Sequence, residues 1–147
     1  MDKTINEIIK RAKKKIQHLS TERILCYTVD ILGNIISGRT VSKNNQIGYS
    51  FLNVTKLLDM FEDDRVHHVI LLHNHPRSTM MASEDDDIMT KKVKKICHRY
   101  GINLYDHIII MKDLDEVYSY RTNKRIITVS RKSNKPPVVV MKRSANG

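Results

Sequence analysis

The sequence predicts an α/β protein in which a mixed β-sheet is flanked by helices. Segments with helical periodicity alternate with short apolar runs rich in β-forming residues, which is the pattern of an α/β fold. A Gly-Asn turn joins one pair of these runs, and the resulting hairpin excludes a wholly parallel sheet. At 147 residues the chain can bury a substantial core. We therefore expect one domain over residues 1–130, followed by a basic, flexible tail or partner-binding arm over 131–147.

The first part of the chain predicts a helix followed by a β-hairpin. Over residues 5–19, apolar side chains recur at intervals of three and four residues, which predicts an amphipathic helix. Residues 22–32 are rich in β-forming residues and apolar on both faces, so we interpret them as a buried strand. Gly33 and Asn34 then turn the chain into a second strand over 35–41.

The rest of the chain predicts two more helices around a central strand. A polar loop over 42–48 leads into a helix over 50–61, and the short apolar run 65–73 is typical of a central strand. A third helix presents one apolar face between 89 and 100, and Gly101 stands where a helix C-terminal glycine is expected. Three further β-rich runs occupy residues 102–111, 116–121 and 125–130.

The basic charge of the chain is unevenly distributed. Lys and Arg outnumber Asp and Glu by 26 to 16, which gives a formal net charge of +10, and the tail over 131–147 contains no acidic residue. An N-terminal cluster consists of Lys10, Arg11, Lys13, Lys14 and Lys15. One interpretation is contact with nucleic acid through this cluster and the tail. The other is a solvated helix face and a loose tail, which the lack of interleaved aromatic residues favours.

The composition of the chain also indicates the cellular compartment in which the protein is expected to act. No stretch approaches the roughly 18 continuous apolar residues that a membrane span requires, and the first segment does not have the pattern of a signal peptide. Two cysteines, Cys26 and Cys97, are too few for a disulfide framework and lie in apolar patterns, as small core residues do. We expect a cytoplasmic protein that makes no membrane contact.

Two histidines at the end of the central strand carry the strongest chemical signal. His73 and His75 are two residues apart, so they project to the same face if the strand continues through residue 75. They leave the strand at its carboxyl end, where α/β sheets usually bind ligands. Asp86, in the first turn of the following helix, can supply a third ligand. Two imidazoles and a carboxylate are a typical ligand set for Zn²⁺.

The same segment also fits a helix start that binds no metal. Ser83 and Asp86 have the spacing of a capping box, and an acidic first turn suits the positive end of a helix dipole. Asp85 and Asp87 are rival ligands, each turned about 100° away from Asp86, so only one of the three acids should point inward. From the residues alone, both interpretations stay open.

These residues resemble the JAMM metal motif of MPN/JAB-domain hydrolases. The motif has the form H-x-H, seven residues, S-x-x-D, and it occupies His73, His75, Ser83 and Asp86. The stretches VILLHNHP, SEDDDIMT and GINLYDHIII resemble the RadC-like branch in particular, as does Glu22 placed eight residues before Asp30. The resemblance covers about residues 15–125. One departure is the loop over 77–82, which is RSTMMA here and rich in Gly and Pro in that branch.

The resemblance implies a three-layer architecture like that of the cytidine deaminases and a zinc-dependent hydrolase. His73, His75 and Asp86 would hold Zn²⁺, with a water completing the shell. Glu22 would act as general base and then as the acid that protonates the leaving amine, and Ser83 would stabilise an oxyanion. The bond type of the wider superfamily implies a metallopeptidase or isopeptidase, so the expected partner is a peptide or an isopeptide-linked protein.

Other functions and roles stay open at this stage. The metal centre can instead act on nucleic acid, or the chain can be a non-catalytic MPN scaffold, although scaffolding members commonly lose the ligands present here. Taken alone, Glu22 is typical of an exposed acid beside Arg23. His107, beside Asp106, is interpreted as half of a buried His–Asp structural pair, which can also be an outer partner of the metal. The sequence leaves the oligomeric state open, including a homo-oligomer.

Overall fold

A computed structural model describes residues 1–44, 50–77 and 81–125. The helices are α1 (Asp2–Ile16), α2 (Val54–Phe61), α3 (Glu84–Arg99) and α4 (Tyr120–Asn123). The strands are β1 (Ile24–Val29), β2 (Ile35–Thr40), β3 (Ser42–Asn44), β4 (Ser50–Leu52), β5 (His68–His75), β6 (Asn103–Met111) and β7 (Val117–Ser119). The predicted tail over 131–147, and the predicted strand over 125–130 beyond Arg125, lie outside the described residues.

Five strands form one mixed sheet in the order β2-β1-β5-β6-β7. The β5–β6 pair is parallel, and the other three pairs are antiparallel. Because β1 and β2 form the predicted hairpin and helices flank the sheet, the predicted fold class is confirmed. The chain crosses from β5 to β6 through α3, as a parallel connection requires.

The sheet separates two hydrophobic cores, so the domain has three layers. On one face, α1 packs against β1, β5 and β6, with Ile8, Ala12 and Ile16 in the contact. On the other face, α2 and α3 pack against the same three strands. Both cysteines are free and buried in this second core, as predicted from their apolar surroundings.

The central strand β5 distributes its side chains between these cores. Val69 and Leu71 belong to the core under α2 and α3, whereas Ile70 and Leu72 belong to the core under α1. All eight residues of the strand are buried, since β5 is the central strand and helices cover both faces of the sheet. Because strand side chains alternate, each residue after Leu72 in β5 faces either α1 or the pair α2 and α3.

An irregularity between β5 and β6 changes which side chains face α3. Val69 pairs with Leu104, but the next residue, Ile70, pairs with Asp106. The extra residue in β6 brings His107 beside Leu71, on the α3 face. Without that bulge His107 would pair with the next residue along β5 and face α1 instead.

Three predicted segments differ from the structure in their boundaries or type. The predicted polar loop over 42–48 contains β3, which pairs with β4 in a small separate sheet. The predicted helix over 50–61 starts only at Val54, because Asn53 caps it by accepting a hydrogen bond from the Lys56 amide at 3.3 Å. Near the end, the strand predicted over 116–121 gives way to the short helix α4 after Ser119.

Within the described part of the chain, no helix combines the length and apolar character of a membrane span.

Candidate metal centre

The two predicted histidine ligands project from β5 toward the first turn of α3. The strand does continue through residue 75, and the alternation that points Leu71 under α3 points His73 and His75 the same way. His73 is 1% exposed and His75 is 8% exposed. Asp86, buried at the third position of α3, faces them from the helix.

The Asp86 carboxylate lies between the two imidazoles. Its Oδ1 is 3.0 Å from Nε2 of His73, and its Oδ2 is 3.0 Å from Nε2 of His75. Burial by itself raises the pKa of Asp86, but the close imidazoles and the Ser83 amide outweigh it and hold the pKa of this carboxyl well below its usual range. The carboxylate is therefore ionised, as a metal ligand must be.

The three side chains fit a divalent cation. One ligand atom from each of them lies within 4.8 Å of the other two, and ligands at the corners of a zinc tetrahedron are about 3.3 Å apart. Nε2 of His73 is buried and makes no hydrogen bond to any described residue, although Asp86 is 3.0 Å away. An unsatisfied imidazole nitrogen beside a buried carboxylate is the arrangement that a shared cation would satisfy.

Ser83 and Asp86 also form the capping box that the sequence allowed. The Ser83 hydroxyl oxygen accepts from the Asp86 amide at 3.1 Å, and the Ser83 amide donates to Oδ2 of Asp86 at 2.8 Å. The two interpretations of this segment are therefore compatible, because one carboxylate serves the helix end and the histidines together. Ser83 itself is exposed at the mouth of the site.

The rival acids point elsewhere. Asp87 accepts from the Tyr120 hydroxyl at 2.7 Å and forms an ion pair with Arg125 at 2.8 Å. Asp85 is exposed. The helical rotation of about 100° per residue thus leaves Asp86 as the acid of this turn that faces the histidines.

Glu22 approaches the same face from the segment before β1. Glu22 lies two residues before Ile24, the residue of β1 that pairs with His73, and its carboxyl is close enough to His73, His75 and Asp86 for their charges to influence it. Glu22 is half-buried. Burial raises the pKa of its carboxyl, and the imidazoles of His73 and His75 oppose that rise only in part.

Asn74 holds the backbone around Glu22, a role that the sequence analysis missed. Its side chain points away from its two histidine neighbours and is fully buried. The Asn74 Oδ1 accepts from the Arg23 amide at 2.7 Å, and its Nδ2 donates to the Thr21 carbonyl at 3.0 Å. These bonds bracket Glu22 on both sides. A polar residue between two candidate ligands in a buried strand was the signal that Asn74 has a specific role. Its partners could not be predicted, because they lie about fifty positions away in the chain.

His107 touches the site from behind. Its Nε2 lies 2.7 Å from Nδ1 of His73 and its Nδ1 lies 2.6 Å from the Thr90 hydroxyl. Both ring nitrogens are therefore engaged, and Asp106 instead accepts from the His107 backbone amide. The predicted buried pair of His107 and Asp106 is therefore present through the His107 backbone amide, and the imidazole occupies the position of an outer partner of the candidate ligands. Burial holds the pKa of the His107 imidazole well below its usual range, so the ring is neutral.

Comparisons with known proteins agree with the motif resemblance. A family model described as "RadC-like JAB domain" matches residues 3–125. A UPF0758 protein of Streptococcus gordonii is 27% identical over 121 residues, which is 82% of this chain and 52% of that protein. A UPF0758 protein of Streptococcus agalactiae serotype Ia is 30% identical over 106 residues, 72% of this chain and 46% of the relative. The chain spans about half the length of the curated relatives it matches.

The geometry predicts a metal dependence that can be measured without a substrate. Added Zn²⁺ should stabilise the metal-free protein by about 2.7 kcal/mol at a concentration of 100 Kd, visible as a rise in the thermal midpoint. Asp86→Asn should remove this effect, since an amide can still cap α3 but carries no charge for the ion. Asp85→Asn, the same change at an exposed neighbour, should keep it. Stoichiometric zinc in dialysed Asp86→Asn protein would contradict this assignment of the ligands.

The Asn74 contacts predict a stability cost. Asn74→Ala leaves the Arg23 amide and the Thr21 carbonyl without their side-chain partner, so the free energy of unfolding should fall by about 1–3 kcal/mol in urea titrations. Asn123→Ala is the control, because it also removes a bond to a carbonyl, that of Ser119 at 2.7 Å, but at an exposed site. Equal losses for the two variants would show that Asn74 does not clamp this segment.

Proposed function

The chain belongs to the RadC-like JAB domain family, and from that premise we propose that it is a metal-dependent hydrolase of the JAMM type that cleaves peptide or isopeptide bonds. The JAB superfamily contains metal-dependent hydrolases. The observation that carries the proposal is the convergence of His73, His75 and Asp86, with a buried imidazole nitrogen left unsatisfied beside an ionised carboxylate. These three residues would hold Zn²⁺.

A bound divalent cation would supply the Lewis acidity that lowers the pKa of a water to about 7. Glu22 would take the proton that this water loses and later deliver it to the leaving amine. Its raised pKa supports this role, because a carboxyl that titrates closer to neutrality is better matched to accepting and returning a proton. The Asn74 contacts on either side of Glu22 would limit the backbone freedom of this proton carrier.

Ser83 would stabilise the oxyanion that forms when the carbonyl is attacked. The Ser83 oxygen already accepts a hydrogen bond from the Asp86 amide, and a hydroxyl that accepts in this way can still donate its own proton to a substrate. The residue is exposed at the start of α3, where a substrate carbonyl can reach it. Capping and catalysis would therefore use different parts of the same hydroxyl group.

The alternative substrate, nucleic acid, gains no support from the position of the basic cluster. That cluster lies on α1, which packs on the face of the sheet opposite to the metal ligands. A polyanion bound there would be separated from the ligands by the sheet. The tail over 131–147 lies outside the described residues, so nucleic-acid contact through it stays a prediction, as do the homo-oligomer and the scaffold role.

Replacing the proposed proton carrier should separate catalysis from metal binding. Glu22→Gln should lower the rate of cleavage by about 10²–10⁴-fold, because an amide neither accepts nor releases a proton at neutral pH. Zinc content should not change. The assay is a panel of peptides and isopeptide-linked proteins with zinc-loaded protein, and Glu62→Gln, an exposed glutamate at the end of α2, is the matched control.

Two results of that panel would overturn the proposal. Zinc-loaded wild type that cleaves no amide bond in the panel would remove the hydrolase assignment and favour the scaffold. Cleavage of single-stranded or duplex DNA, abolished in Glu22→Gln, would replace the amide substrate with a phosphodiester.

The oxyanion role of Ser83 can be separated from its capping role. Ser83→Gly should cost only a few tenths of a kcal/mol in stability, since glycine is an acceptable helix cap, yet it removes the hydroxyl donor. The rate constant should fall by about 10²–10³-fold, and Ser83→Thr should restore it. The measurements are kcat on the cleaved substrate and the free energy of unfolding for each variant. A Ser83→Gly enzyme with full kcat would confine Ser83 to the helix cap.

A further inference from the structure

A continuous line of polar contacts joins the backbone of α3 to His73. The Thr90 hydroxyl is 2.6 Å from the carbonyl oxygen of Asp86 and 2.6 Å from Nδ1 of His107. Nε2 of His107 is then 2.7 Å from Nδ1 of His73. Thr90 and His107 are fully buried, so these groups hydrogen-bond to one another and are shielded from bulk water.

The carbonyl at one end sets the direction of every bond in this line. A carbonyl oxygen only accepts, and two oxygens come within 2.6 Å only when a proton lies between them, so Thr90 donates its one hydroxyl proton to Asp86. The Thr90 oxygen must then accept from Nδ1 of His107. A neutral imidazole carries one ring proton, so Nε2 of His107 accepts and Nδ1 of His73 donates.

The opposite direction is less favourable at the Thr90 end of the line. If Thr90 donated to His107, the short oxygen–oxygen contact with Asp86 would lack a proton. The proton of His73 would then lie on Nε2, 3.0 Å from Oδ1 of the Asp86 carboxylate, so the short contact between Thr90 and Asp86 is what distinguishes the two directions. The nearby Tyr120 hydroxyl donates to Asp87, so it does not supply Thr90 with a proton.

We propose that Thr90 and His107 are positioning residues that keep the proton of His73 on Nδ1 and so present its bare Nε2 to the metal. The proposal rests on the metal centre proposed above. A metal-bound imidazole needs an unprotonated nitrogen, and a partner on the other ring nitrogen fixes both the tautomer and the ring orientation. Here Tyr120 adds to that orientation, because its ring stacks on His107 with centroids 4.8 Å apart and planes 10° apart.

The tautomer can be read directly in the protein without metal. Long-range proton–nitrogen NMR spectra of histidine-labelled, metal-free wild type, recorded at mildly alkaline pH where imidazoles are neutral, distinguish a protonated ring nitrogen from a bare one. We expect His73 and His107 each to carry the proton on Nδ1. A His73 ring protonated on Nε2 would overturn the proposal, and this measurement requires no variant to fold.

Variants of Thr90 test the link between the tautomer and the metal. Thr90→Val keeps the shape but removes the hydroxyl, so His73 should populate both tautomers and zinc should bind about 10–100-fold more weakly in chelator competition. Thr90→Ser restores the hydroxyl and should restore both properties. Thr55→Val, the same change at an exposed position of α2, should alter neither.

The failure of this proposal is distinguishable from the failure of the proposed function. Wild type that binds no zinc would refute the metal centre itself. Wild type that binds zinc, together with a Thr90→Val variant of unchanged tautomer and zinc affinity, would refute only the positioning role of Thr90 and His107.

Discussion

The two-residue period of one buried strand is the constraint on which the site depends. Because β5 lies between β1 and β6 and continues through residue 75, His73 and His75 must project to one face and Asn74 to the other. The histidines meet α3 on their face. On the opposite side, Asn74 holds the segment that carries Glu22. Three consecutive residues of β5 thus supply two of the candidate ligands and hold the segment of the candidate proton carrier.

A second periodicity, that of the helix, divides the acidic first turn of α3 among different tasks. Asp86 faces the imidazoles and closes the capping box, while Asp87 lies one step around the helix and pairs with Tyr120 and Arg125. Four acids at this end suit the helix dipole as a group. Their individual contacts follow from the rotation of about 100° per residue. A turn that is favourable for helix formation therefore also directs one carboxylate at the histidines.

The burial of the polar groups determines what each of them can do. His73, Thr90 and His107 are almost inaccessible to water, so the direction of their hydrogen bonds is set within the protein. Glu22 and Ser83 are more exposed to solvent. The site therefore has a buried side behind the candidate ligands and a side that is open to solvent.

The sequence by itself determined the fold class and most of the site, because these follow from local patterns. Helical and strand periodicities are properties of neighbouring residues, and the motif from His73 to Asp86 spans one strand, one loop and one helix start. The sequence predicts a loop for the polar segment that forms β3, since the pairing of β3 with β4 contributes no local periodicity. Only the tertiary structure decided that Asn74 holds Thr21 and Arg23, and that a bulge in β6 turns His107 toward His73. Strand register brings together residues far apart in the chain, and a shift of one position exchanges the two faces of a strand.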